Sequence, residues 1–300
     1  MSEVIDPVVI FDLLAHHVPR DLRQHLLVAG SLAAAYHHRD QLRDHAVNTK
    51  DADVVVQPAG AVKEAAAVAR RLVADGWKPV DGCFPQPTPE PPGGRNDPEW
   101  LRAIRLRPKG TDSFFVELLA FPSTEQSKML FWTPCKLDDG WYGLPSFRYL
   151  GLVLGHTHKT PSGISYAAPS MMALANLLAH QTIDRSAVIK TLQAGREILR
   201  AAKDLGRVLA LAWLTDPAEL RTWPELWRSA LRKRFPKEHT GLAARAGDGL
   251  RALLADPDAL DQARHSVDIG LLAGHGLNVA NLSAVAAQLL GLVLDPLARS

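Results

Sequence analysis

Two aspartates, Asp51 and Asp53, open the run Asp51-Ala52-Asp53-Val54-Val55-Val56, and a lone acid, Glu117, interrupts a second apolar run from Phe114 to Phe121. Residues two apart on a strand point to the same face, so on a strand the two aspartates present carboxylates side by side at the lip of a buried segment. Carboxylates held that close repel each other unless a cation or a pKa shift offsets the repulsion. Magnesium suits such a place, because it takes hard oxygen ligands from one or two carboxylates and from the substrate's own phosphates. The chemistry served is phosphoryl or nucleotidyl transfer, in which charge on the phosphorus oxygens is neutralised during in-line attack, commonly by two ions. Upstream, Ala29-Gly30-Ser31 precedes an alanine-rich helical segment. Glycine there lets backbone approach phosphates, and the Ser31 hydroxyl and helix-start amides can donate to them.

Each feature also has an ordinary structural reading. Gly30-Ser31 can be a strand end and helix cap, and the aspartates a solvated strand end before the buried valines. Glu117 shares a strand face with Phe115 and Leu119, where an unpaired charge is costly, so a pair with Arg105 or Arg107 on a neighbouring strand is the alternative to a functional role. Arg196, Arg200, Lys203 and Arg207 fall on one helical face, either as a wet surface or as a stripe facing a triphosphate or RNA. Arg228, Arg232, Lys233, Arg234 and Lys237 form a second basic cluster beside Trp223 and Trp227, which read as core residues. His37-His38 and His156-Thr157-His158 have no zinc spacing and read as turn or surface histidines. No nucleophile elbow, Walker loop or Rossmann glycine pattern is present.

Apolar spacing places a helix at Ile10 to Val18, a restart after Pro19, a short strand at Leu26-Leu27-Val28 and a helix at Leu32 to His38. The Asp51 to Gln57 strand follows, then a helix from Val62 to Asp75 closed by Gly76, and a short strand at Trp77 to Val80. Phe84 to Pro98, with its prolines and Gly93-Gly94, reads as a loop. Hairpins are expected across Lys109 to Asp112, through Asp138-Asp139-Gly140, and at Pro161-Ser162-Gly163. From Pro169 the pattern turns helical almost throughout: Ser170 to His180, Ser186 to Leu214, Glu219 to Phe235 and at least two more. The shift divides the chain into a mixed α/β domain at 1–168 and a helical domain at 169–300. There is no internal repeat.

Thirty-four basic and 32 acidic residues nearly balance, which excludes a molecule-wide electrostatic grip on nucleic acid or anionic lipid. The two cysteines, Cys83 and Cys135, form neither a CxxC pair nor a disulfide framework, as befits a reducing cytoplasm. The first residues lack the pattern of a signal peptide. No apolar stretch is expected to span a bilayer, and Val279 to Leu294, interrupted by Asn281, Ser283 and Gln288, reads as a buried terminal helix.

Together, AGSLAAAYHH, TKDADVVV and AAKDLGRVLALA resemble the nucleotidyltransferase fold shared by DNA polymerase β, aminoglycoside nucleotidyltransferases and AbiEii-type toxins, and are most similar to the last group, which belongs to toxin-antitoxin systems. The resemblance covers the first half strongly and the helical half weakly. It implies an α/β (α+β) nucleotidyltransferase domain followed by an all-α domain. It also implies a Mg²⁺-dependent enzyme, with Mn²⁺ as a substitute, that moves a nucleoside monophosphate from an NTP to a tRNA or protein hydroxyl and is countered by a cognate antitoxin. Asp51, Asp53 and Glu117 would be the catalytic, metal-holding acids. Gly30 and Ser31 would grip the triphosphate, and Lys203-Asp204 matches the pair that closes over the nucleotide. Two departures stand out: a long gap between Ser31 and Asp51, with Gln41 to Asn48 as an insertion, and no lysine or arginine in MMALANLLAHQ. The rival expectations are a small-molecule nucleotidyltransferase of the aminoglycoside type and an inactive scaffold that binds nucleotide or a partner.

Overall fold

The computed structural model describes residues 5–42, 49, 51–80, 101–111, 113–123, 130–180 and 197–299. Lys50, the 84–98 loop, Cys83, Arg196, the first part of the helix expected from Ser186, and most of the insertion expected before Asn48 lie outside the described residues. The chain is mixed α/β with a helical C-terminal region, and it divides into two compact units. The first takes its described residues from 1–36, 49–151 and 157–167; the second from 37–48, 152–156 and 168–300.

In the first unit α1 (Pro7–His17) starts at Asp6, whose carboxylate caps the Val8 amide, with Pro7 in the first turn where its missing N–H costs nothing. A single turn α2 (Arg20–Arg23) follows Pro19, then β1 (Leu26–Ala29), α3 (Gly30–His37), β2 (Asp51–Val56), α4 (Val62–Ala74) and β3 (Lys78–Pro79). Beyond these come β4 (Arg102–Ala103), β5 (Arg105–Arg107), β6 (Phe115–Ala120), β7 (Leu130–Leu137), β8 (Gly140–Phe147), β9 (Thr157–Lys159) and β10 (Ser165–Ala167). All three expected hairpins form: β5 with β6, β7 with β8, and β9 with β10, each antiparallel.

The main sheet has seven strands in the order β3-β5-β6-β2-β1-β10-β9, with β2/β6 and β1/β10 parallel. A second sheet runs β4-β8-β7. Central position explains composition: β1 is buried at all four residues and β2 at Val54, Val55 and Val56, as expected of strands covered on both faces. Phe11, Tyr36 and Tyr166 join α1, α3 and β10 through ring contacts at 4.4, 5.8 and 5.2 Å, geometry that adds to the burial of their area.

The second unit contains α5 (Pro169–Ala179), α6 (Arg200–Leu214), α7 (Pro217–Leu220), α8 (Trp223–Arg234), α9 (His239–Arg245), α10 (Asp248–Leu254), α11 (Pro257–Asp268), α12 (Val279–Leu289) and α13 (Asp295–Ala298). Its core includes Trp223 and Trp227, both fully buried, with the Trp227 indole N–H donating to the Ser170 carbonyl at 3.0 Å. The tryptophans are therefore core residues, as their spacing implies.

Three expectations change here. The helix expected to run into Leu214 begins only at Arg200, because Leu199 is extended and its amide is held by the Gln262 side chain at 2.9 Å. The helix expected over Glu219 to Phe235 is two, since Pro224 lacks the N–H an interior position needs and instead sits in the first turn of α8. Val279–Ala298 is one continuous helical stretch of 20 residues, long and apolar enough by length and composition to cross a membrane. The polar residues that break the pattern in sequence do not break the helix: Asn281 completes a capping box with Asn278, and Gln288 lies on the exposed side. Leu282, Val285, Leu289, Val293 and Leu297 on the same stretch are buried in the unit.

Candidate active site

Strand register gathers the acids. Ala29 stands opposite Asp53, Asp53 opposite Glu117, and Glu117 opposite Arg105, forming one row across β1, β2, β6 and β5. Residues paired in register share a face. Asp51 lies one step along the same face, opposite Phe115. Exposure falls along the set: Asp51 is exposed, Asp53 half-buried and Glu117 only 9% exposed. The acids therefore range from the wet lip of β2 to the buried interior of β6.

Each carboxylate is held differently. Thr49 donates its hydroxyl to Asp51 Oδ1 at 2.8 Å, fixing the most exposed acid. Glu117 Oε1 accepts from Arg105 Nη2 at 3.1 Å, and the same guanidinium lies 5.6 Å from the centre of the Phe115 ring. Burial pushes the Glu117 carboxyl above the usual range, Arg105 opposes the shift, and the charge of Asp51 adds to it. The two acids thus feel each other. The ion pair that the sequence offers as the ordinary reading of Glu117 is present in the structure.

Gly30 sits where β1 becomes α3, with φ +70. A Cβ on it would lie 2.4 Å from Asp53 Oδ2. Only glycine meets both demands, so backbone and carboxylate come together without a side chain between them. Ser31 is half-buried inside the first turn of α3, so it is not a residue capping the helix from outside.

Gly30, Ser31, Asp51, Asp53 and Glu117 all belong to the sheet unit, while Lys203 and Asp204 belong to the helical unit on α6. Asp204 is 8% exposed and accepts from Arg200 at 3.4 Å. Of the second basic cluster, Arg228 is engaged by Glu225 at 2.7 Å and by the Pro296 carbonyl at 2.8 Å. His38 departs from the surface role its sequence position suggests: it is 4% exposed, and burial with neighbouring His37 lowers its pKa to about 3. The residues sequence reasoning did not single out as functional are Thr49 and Arg105. Thr49 opens the run TKDADVVV but has no role of its own in that reading, and Arg105 was visible only as a possible cross-strand partner.

Among the described residues no three His, Cys, Asp or Glu side chains stand gathered as a ready-made metal cluster. The donor chemistry nevertheless fits a hard divalent cation: Asp51, Asp53 and Glu117 share one sheet face at adjacent register positions, and Gly30 leaves the space beside Asp53 clear of a side chain. The bond from Glu117 to Arg105 draws the third acid toward β5.

Compared with known proteins, the chain matches no family model, and no curated protein or solved structure is significantly similar to it.

Proposed function

We propose that the sheet unit is a nucleotidyltransferase active site that transfers a nucleoside monophosphate from an NTP to an acceptor hydroxyl and releases pyrophosphate. The observation that carries this reading is the pairing of Asp53 with Glu117 in register on β2 and β6, beside a glycine turn at a helix start where a Cβ would lie 2.4 Å from Asp53 Oδ2. Asp51 and Asp53 would hold the divalent cation, with Glu117 as third acid. When bound, Mg²⁺ supplies charge neutralisation at the phosphoryl oxygens during in-line transfer.

The chain's own groups do the rest. The Gly30 turn and the first amides of α3 orient a triphosphate, and the Ser31 hydroxyl donates to it. Glu117, as the third acid, is the carboxylate that would accept the proton of the attacking hydroxyl. By the sequence resemblance alone, Lys203 and Asp204 on α6 would be the nucleotide-closing pair. A tRNA or protein hydroxyl as acceptor, control by an antitoxin and action in the cytoplasm belong to the same reading.

The test is incubation with each α-³²P-labelled NTP, Mg²⁺ and total cellular RNA, beside Asp51→Ala. Label on RNA or on protein that depends on Asp51 supports the reading and identifies the nucleotide and the acceptor class. Labelling of an aminoglycoside-type small molecule alone supports the rival enzyme. Absence of all label, with no metal bound in the presence of NTP, leaves the scaffold reading, which the Arg105–Glu117 ion pair favours.

A further inference from the structure

The functional reading leaves Arg105 without a task, yet this residue is the direct cross-strand neighbour of the most buried of the three site acids. From the geometry we infer that Arg105 is a positioning residue that holds Glu117 away from Asp53 until a divalent cation exchanges with it. The inference rests on the assignment of Asp51, Asp53 and Glu117 as the metal-holding set.

Three observations support it. Glu117 has two neighbours at its level of the sheet, Asp53 on β2 and Arg105 on β5, so its carboxylate lies between a like charge and an opposite one. An opposite charge is the favoured partner in that setting, and Glu117 Oε1 accepts from Arg105 Nη2 at 3.1 Å. Second, the described bond joins one guanidinium nitrogen to one carboxylate oxygen and is not a two-bond fork, which makes it the weaker and more readily exchanged form of an arginine–carboxylate pair. Third, Arg105 keeps a resting place after exchange, because its guanidinium already lies over the Phe115 ring, 5.6 Å from the centre. Phe115 stands opposite Asp51 in register, so the resting place adjoins the same acids.

The consequence is a site with a built-in threshold. Arg105 supplies the positive charge that a cation would otherwise supply, which keeps a buried acid beside Asp53 tolerable in the metal-free protein. A cation must displace that charge before Glu117 can join the aspartates.

Titration of the full chain with Mn²⁺, followed by the electron paramagnetic resonance of the free ion, tests this without reference to catalysis. Arg105→Gln is expected to bind Mn²⁺ about tenfold more tightly than wild type, and Arg105→Lys, which keeps charge without the planar fork, to fall between them. In a Glu117→Gln background, the same Arg105 substitutions are expected to change affinity less than about twofold, since the interaction would no longer exist to be broken. Equal gains in both backgrounds would mean that Arg105 acts only through its charge on the whole site, and would overturn the inference. So would an unchanged or weakened affinity in Arg105→Gln. Should Arg105→Gln unfold, the comparison of Arg105→Lys with Arg105→Lys/Glu117→Gln decides the same question. Failure of the wild-type protein to bind Mn²⁺ at all would overturn both this inference and the metal-holding assignment.

Discussion

The carboxylate of Asp53 occupies the space that a side chain at position 30 would need. A Cβ on Gly30 would lie 2.4 Å from Asp53 Oδ2, and the residue has φ +70 besides. Gly30→Ala is therefore expected to cost about 1–2 kcal/mol in stability, from backbone strain and displacement of the carboxylate. Under the proposed function, nucleotide transfer is expected to fall by about 100-fold, since a shift of 1 Å in a positioned group costs that much. Thermal unfolding and transfer assays on the same preparation separate the two effects.

Neutralising an aspartate should act on function far more than on the fold. Asp53→Asn removes one of two like charges on β2 while keeping the shape, so its stability in a metal chelator is expected to stay within about 1 kcal/mol of wild type. Under the proposed function, Mn²⁺ binding and nucleotide transfer are expected to be lost. A variant that unfolds in the chelator would show that Asp53 is needed by the sheet itself.

The buried His38 ties stability of the helical unit to pH. Its pKa is lowered to about 3 in the folded chain, chiefly by burial and secondarily by His37, so the folded state favours the neutral ring. A base with a depressed folded pKa contributes stability that is fully present above its unfolded value of 6.5 and is lost as pH falls from there toward 3. At a pH of about 5.5 the loss should be about 1.4 kcal/mol. The expected outcome is that His38→Phe unfolds with a shallower pH dependence than wild type between about pH 6.5 and pH 4.5. Equal slopes would remove His38 as the cause.

Trp227 combines packing with a hydrogen bond. Trp227→Ala is expected to destabilise the helical unit by about 3–5 kcal/mol, as a large core truncation does. Trp227→Phe keeps much of the packing but leaves the Ser170 carbonyl without its indole donor, an effect of about 1–3 kcal/mol. Chemical denaturation followed by circular dichroism measures both.

Close backbone approach sets another limit, at Gly206. A Cβ there would lie 2.9 Å from the Ala263 carbonyl, which brings α6 and α11 within reach of each other only if residue 206 is glycine. Gly206→Ala should destabilise by about 1–3 kcal/mol despite alanine's better helix propensity, because overpacking between two backbones cannot relax by a side-chain turn. A stabilised variant would show that the helices can separate freely.

Much of the local structure is legible in the residues themselves. The Val54-Val55-Val56 run, the alanine-rich segment after Ser31 and the Asp138-Asp139-Gly140 turn each carry their conformation in propensity and spacing, and each forms as expected. The two-residue spacing of Asp51 and Asp53 fixes that they share a face of β2. The buried character of Trp223 and Trp227 follows from their place on an otherwise charged helix. The length of the terminal helix was less legible, because Asn281 and Gln288 interrupt a hydropathy pattern without interrupting backbone hydrogen bonds.

What the sequence by itself determined is most of the strands and turns and the identity of the acids: periodicity and turn chemistry are local, acting over a few residues. Only the tertiary structure decided which strands lie side by side beyond the three hairpins, and in which register every pair meets. The parallel pairing of β2 with β6 sets Asp53 beside Glu117, and the antiparallel pairing of β5 with β6 gives Glu117 to Arg105. Neither register can be read from spacing along the chain, since a slip of one residue would turn the acid to the opposite face. The closeness of Gly30 to Asp53 likewise depends on β1 lying beside β2. Charge, burial and reach at the site are properties of that packing, and the sequence supplies only the groups on which it acts.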